Sequence, residues 1–144
     1  MRSFFIAVLI LFLAPQLHAQ DTLPRFVFQG HHIGDAWPKP EPRDQCKWPG
    51  EGHRQIVCMR ENLDGLSFDA AYTYSNKGDL VGVGALVDSV EFKPLLSSLT
   101  KRYGQPKALR SGTGHDYAQW RFREGKLHLT RTGTLVVLRF AAAS

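Results

Sequence analysis

Asp64-Gly65, Lys77-Gly78, Glu124-Gly125 and Thr132-Gly133 divide most of this chain into short runs, each bounded by a glycine that tolerates the left-handed backbone of a tight turn. Runs of this length with period-2 alternation are strands, and glycine turns join them as antiparallel hairpins. Leu66, Phe68, Ala70, Tyr72 and Tyr74 alternate with Ser67, Asp69, Thr73 and Ser75, which predicts a half-buried strand. The chain then returns through Leu80 to Val87, where Gly82 and Gly84 share a face and predict close packing, with the helix that follows as the expected neighbour. Asp116–Arg123, Lys126–Arg131 and Thr134–Phe140 predict a three-stranded antiparallel meander after a glycine-rich link at residues 111–114.

One helix interrupts the strands. Phe92, Leu95, Leu96, Leu99 and Tyr103 recur at offsets 0, 3, 4, 7 and 11, one continuous helical stripe. Asp88 or Ser89 is the expected cap, Pro94 fits only in the first turn, and Gly104 with Pro106 stops the helix. The expected fold is α+β in two layers, with one main helix packed on a mostly antiparallel sheet of hairpins and a C-terminal three-stranded meander.

The N-terminus has the order of a secretory signal: Arg2, an apolar run from Phe4 to Leu13, and a processing region ending at Ala19. A ten-residue run rises only roughly 15 Å as a helix, about half of a bilayer core, which predicts a cleaved signal at residues 1–19 and not an anchor. Residues 20–144 then form a single domain, periplasmic or secreted, with no transmembrane segment in the mature chain.

Export gives meaning to the cysteines. Between Gly30 and His53 the glycines and prolines, among them Pro38, Pro40, Pro42 and Pro49, predict a loop without regular structure. Cys46 lies in that loop and Cys58 in the following strand-like run, so an oxidising compartment predicts a disulfide that tethers one to the other. Their spacing is far from the C-x-x-C of redox and zinc sites.

Charge is unevenly distributed. Residues 20–99 hold 8 Lys/Arg against 11 Asp/Glu, a net −3, whereas residues 100–144 hold 9 against 2, a net +7. For an exported chain this points to an anionic envelope component or an acidic exported protein as partner, ahead of nucleic acid. Strand alternation places Arg121 and Arg123 on the face opposite Trp120 and Phe122, and the intervening turn returns Lys126 beside them. Arg121, Arg123 and Lys126, with His128 and Arg131 as lesser contributors, are therefore the candidate anion-binding face.

Patterns that carry chemistry are weak. His31, His32, Asp35, Asp44, Glu51 and His53 crowd the loop without the spacing of a metal or hydrolytic motif. Ser111-Gly112-Thr113-Gly114-His115-Asp116 holds a hydroxyl, an imidazole and a carboxylate, but sequence neighbours rarely converge into a triad. Trp37, Trp48, Tyr72 and Tyr74 are the aromatic residues available for a carbohydrate or protein surface. No catalytic residue, metal ligand or cofactor is assigned.

Phe28-Gln29-Gly30 followed by Ile33-Gly34, the two nearby cysteines, the helix ending in Lys101-Arg102-Tyr103-Gly104-Gln105-Pro106, and a terminal meander containing Trp120 resemble small uncharacterised envelope proteins of Gram-negative bacteria. The resemblance implies an exported α+β domain. The leading expectation is a non-catalytic binding or envelope-associated module. The alternatives are a small periplasmic hydrolase using the loop histidines and acids, and a secreted enzyme inhibitor presenting the disulfide-tethered loop.

Overall fold

The computed structural model describes residues 22–36, 46–47, 54–88 and 91–143. The expected signal segment lies outside them. A two-stranded hairpin, β1 (Val27–Phe28) and β2 (His31–His32), precedes β3 (Cys46–Lys47), β4 (Gln55–Leu63), β5 (Leu66–Tyr74) and β6 (Leu80–Asp88). Helix α1 (Phe92–Tyr103) follows, and then β7 (Ala108–Gly112), β8 (His115–Arg121), β9 (Gly125–Thr132) and β10 (Leu135–Ala142). Eight strands form one antiparallel sheet in the order β3-β4-β5-β6-β10-β9-β8-β7.

This is a mostly β architecture, and it corrects the two-layer α+β arrangement expected above. Two local features account for the difference. The segment read as a glycine-rich link begins as strand β7, with only Thr113-Gly114 left for its turn, and β10 pairs along almost its whole length with β6. The hairpins and the meander are thereby one sheet. A twelve-residue helix, about 18 Å long, is too small to form a layer over eight strands spanning about 34 Å. Its connection carries the chain from β6 to the far edge, and the meander then folds back until β10 meets β6.

The helix begins where Pro94 requires. Glu91 occupies the N-cap position with no side-chain cap, in place of the expected Asp88 or Ser89, of which Ser89 lies outside the described residues. Gly104, at φ 80°, ends the helix, and Lys101 and Arg102 in the last turn suit its negative end. Phe92, Leu95, Ser98 and Leu99 are its buried residues. Phe92, Leu95 and Leu99 join one core with Tyr72, Val83, Ala85, Trp120, Leu129 and Leu138 of the sheet.

The segment before β1 belongs to the same core. The Phe26 ring lies 4.1 Å from that of Phe140 and 5.1 Å, edge-on, from that of Phe122. Tyr103 donates its hydroxyl to the Val27 carbonyl at 2.6 Å, and Trp120 donates its indole N–H to the Gly104 carbonyl at 2.8 Å. Both large rings thus bury their apolar bodies while their polar atoms find backbone acceptors. Burial pushes the Tyr103 phenol up to about 12, with the positive charge of Arg102 acting weakly in the other direction.

Cys46 and Cys58 are bonded and sit directly opposite one another in the β3–β4 pair. The bridge pins the two-residue edge strand β3 to the sheet. The glycine pair of β6 is placed differently from the expectation. Val83 and Ala85 face the core, so Gly82 and Gly84 point away from the helix, toward the other side of the sheet.

Candidate functional site

Alternation along β8, β9 and β10 sorts their side chains cleanly. Ala118, Trp120, Leu127, Leu129, Val136, Leu138 and Phe140 are buried, and the residues between them form a second, outer face. On that face Arg121 pairs with Lys126, while His128 has Gln119 on one side and Arg139 on the other. Directly opposed side chains lie about 5 Å apart at Cβ, so three permanent positive charges are gathered within two rows of the sheet. No ion pair engages Arg121, Lys126 or Arg139 among the described residues.

Arg121, Lys126 and His128, with Leu23 and Ala141, line part of a shallow depression of about 680 Å³, and Arg139 stands opposite His128 in the adjoining strand. Behind His128, Tyr117 donates its hydroxyl to Gln119 Oε1 at 2.5 Å, and the Tyr117 hydroxyl oxygen itself lies 3.2 Å from His128 Nδ1. The imidazole is oriented by this contact. Burial, and then the charges of Lys126 and Arg139, hold its pKa below the ordinary histidine value. These influences favour the neutral imidazole, which can act as a hydrogen-bonding group on this face, and an anion bound beside it would offset the neighbouring charges.

The other sequence-derived candidates lie elsewhere. Arg123 occupies the two-residue turn between β8 and β9, where its backbone N–H donates to the Pro24 carbonyl at 2.9 Å. Arg131 is on the helix side of the sheet. Its Nε donates to Asp116 Oδ2 at 2.5 Å, a terminal guanidinium nitrogen completes the ion pair, and the group sits 5.9 Å from the Phe92 ring centre. Ser111 Oγ donates to the other carboxylate oxygen of Asp116 at 2.7 Å. The Ser111 hydrogen bond, and after it Arg131, hold the Asp116 carboxyl below its usual range against the opposing effect of burial.

Arg139 was missed by sequence reasoning although a signal existed. Counting outward from the Thr132-Gly133 turn with Leu135 opposite Thr132 places Arg139 opposite His128. Its neighbours Leu135, Val136, Val137 and Leu138 conceal it, because they read as a continuous apolar run.

Ser111, His115 and Asp116 do not assemble a relay. Asp116 spends its oxygens on Ser111 and Arg131, while His115 is exposed and points, by alternation, to the outer face. The loop histidines are also dispersed. His31 packs its ring 4.5 Å from Tyr72, and the exposed His32 donates its backbone N–H to Asp35 Oδ2 at 2.7 Å. Asp44, Glu51, His53, Trp37 and Trp48 lie outside the described residues. Tyr72 and Tyr74 are core residues and supply no aromatic surface. Glu61 lies within 4.8 Å of both cysteine sulfurs, but sulfurs bonded to each other are not thiolate ligands for a metal.

Among the described residues no helix is long and apolar enough to cross a membrane. No protein-family model and no curated protein matches the chain. A crystal structure of a DUF4309 family protein from Bacillus subtilis is similar at 13% identity, over 65% of this chain and 68% of that chain, with a TM-score of 0.38.

Proposed function

We propose that this chain is an exported, non-catalytic binding module that holds an anionic component of the cell envelope on the outer face of its sheet. The observation that carries the reading is the gathering of Arg121, Lys126 and Arg139, from three strands, on one face: the first two line the depression, Arg139 pairs with His128 at its border, and none of the three has an ion-pair partner among the described residues. Like charges placed this closely repel, a cost that a bound anion removes. The disulfide suits an oxidising compartment, and the charge surplus of the C-terminal third agrees in sign with the proposed ligand.

A sulfated polysaccharide column tests it. Exposed charges are screened beyond about 8 Å at physiological ionic strength, so retention should be strong at low salt, fall steeply toward physiological salt, and be lost in Arg121→Glu/Arg139→Glu. Retention that neither salt nor this charge reversal alters would refute the proposal.

A further inference from the structure

We infer that the ligand of this face is an anionic amphiphile with a single alkyl chain, its charged head at Lys126 and Arg139 and its chain lying along the β6–β10 seam toward Leu86 and Leu135. This deepens the proposed function and rests on it. The inference starts from an excess of apolar character. An antiparallel sheet with one face in water alternates apolar and polar residues, as β8 and β9 do; strands apolar throughout are those covered on both faces. Most of β6 and the first half of β10, the central strands, are of the second kind. Leu80 to Val87 and Leu135 to Leu138 contain no polar side chain, although only the side carrying Val83, Ala85, Val136 and Leu138 meets the core.

The surplus is collected in one place. Leu86 is 63% exposed and Leu135 51% exposed. Val137, paired with Leu86, lies half-buried between them. This strip adjoins the charges directly, since Arg139 follows Val137 on the same face and pairs with Gly84 as Val137 pairs with Leu86. From Arg139 to Leu135 the strand advances about 13 Å, a length suited to an extended medium-length alkyl chain. Asp69, the carboxylate paired with Leu86, accepts a hydrogen bond from the Arg60 backbone and lies at the apolar end, away from the cationic head site.

Gly82 and Gly84 give the seam its depth. Neither has a positive φ, so the backbone does not require glycine at either position. A Cβ on Gly84 would meet only the Leu138 carbonyl, at 3.9 Å. The missing side chain of Gly84 leaves a trough between Ala71 and Arg139 where the chain's path begins, while Gly82, paired with Ala141, lies on the other side of Arg139, under the head. Charge complementarity chooses the occupant. The rows holding the trough's head end contribute Arg139, Lys126 and Arg121 and no acid, which selects a negatively charged head and disfavours a cationic or neutral one.

The probe is decyl phosphate at concentrations where it is monomeric, titrated into the full chain and followed by calorimetry, with hexyl phosphate, inorganic phosphate and decyltrimethylammonium alongside. Full burial of a methylene is worth roughly a fourfold change in affinity, so even half-burial predicts decyl phosphate binding at least about tenfold more tightly than hexyl phosphate. Inorganic phosphate should bind more weakly still, and decyltrimethylammonium not measurably. Gly84→Val should fill the trough and weaken decyl phosphate at least about tenfold while leaving thermal stability equal or higher, because a β-branched residue suits a strand better than glycine. Decyl and hexyl phosphate binding within twofold of each other, or undiminished binding by Gly84→Val, would overturn the inference. So would co-sedimentation with phosphatidylglycerol vesicles by a protein that takes up no monomeric decyl phosphate, which assigns the strip to a bilayer surface. Salt-sensitive retention on the polysaccharide without chain-length dependence removes the amphiphile and leaves the proposed function standing; loss of both removes both.

Discussion

The two faces of the large sheet are built by the same strands and differ in what completes them. On the inner face, Val136, Leu138 and Phe140 of β10 meet residues of α1, of β6 and of the segment around Phe26 in one aromatic-rich core. On the outer face, Leu135, Val137, Arg139 and Ala141 of the same strand are paired with outer-face residues of β6 and β9, and Leu135 is 51% exposed. The contrast separates two uses of apolar side chains that composition cannot distinguish. Burial on the inner face is the main source of folding free energy. The leucines of the outer face remain largely in water, contribute little to folding, and gain their value only when another molecule covers them.

The largest test of this contrast is a cavity on the inner face. Leu99 is fully buried beneath the sheet, and Leu99→Ala should cost about 2 to 5 kcal/mol in urea unfolding, through lost transfer energy and an unfilled void. A cost below about 0.5 kcal/mol would place the helix stripe in solvent and dissolve the distinction between the faces.

A smaller effect should come from the polar exception on the inner face. Asp116→Asn keeps the shape of the side chain but removes the charge that Ser111 and Arg131 satisfy, and should lower stability near neutral pH by less than the Leu99 truncation does. Because the folded-state pKa of Asp116 is depressed, its contribution is fully present above the unfolded carboxylate value of about 4 and is lost as pH falls below it toward the folded value. The gap in stability between the native chain and Asp116→Asn should therefore close on acidification. A constant gap from pH 7 to pH 2 would mean that the carboxylate's charge is not what stabilises this corner.

The same contrast explains which parts of the molecule were legible in the sequence. The turns at Gly65, Gly78 and Gly133, the helix and its buried stripe, and the sorting of Trp120 from Arg121 all follow from local rules, since glycine at positive φ and 3.6- or 2-residue periodicity are written into adjacent residues; Gly125 instead belongs to β9, with no positive φ, where a Cβ would meet the Ala141 carbonyl. The joining of β6 to β10 was not legible. That pairing links residues some fifty positions apart in the chain, and nothing near either strand announces its partner. The mostly β character was lost with it, as was the location of Gly82 and Gly84 on the face away from the helix. Of the candidate site, Arg121 and Lys126 were visible through one hairpin turn. Arg131 was assigned by charge alone, and strand parity sends it to Asp116; Arg139 was concealed in an apolar run and emerged only with the register of β9 and β10.

The smallest predicted effect is the most discriminating for the outer face. Leu86→Ala removes as much side chain as Leu99→Ala and differs from it mainly in location, 63% exposed on β6 as against none. Since little of this leucine leaves water on folding, its truncation should change stability by no more than about 0.5 kcal/mol, the range of ordinary surface substitutions. Removing apolar surface from water upon binding is worth roughly 25 cal/mol per Å², so the same variant should weaken decyl phosphate by a measurable factor of severalfold. The two numbers must dissociate: near-neutral unfolding with reduced binding marks a residue kept for a ligand. If Leu86→Ala instead destabilised the fold by 2 kcal/mol or more, on the order expected of a core truncation, the outer face would be an internal surface of the folded chain. The apolar strip would then belong to folding, and only the charges of Lys126 and Arg139 would be left to recognition.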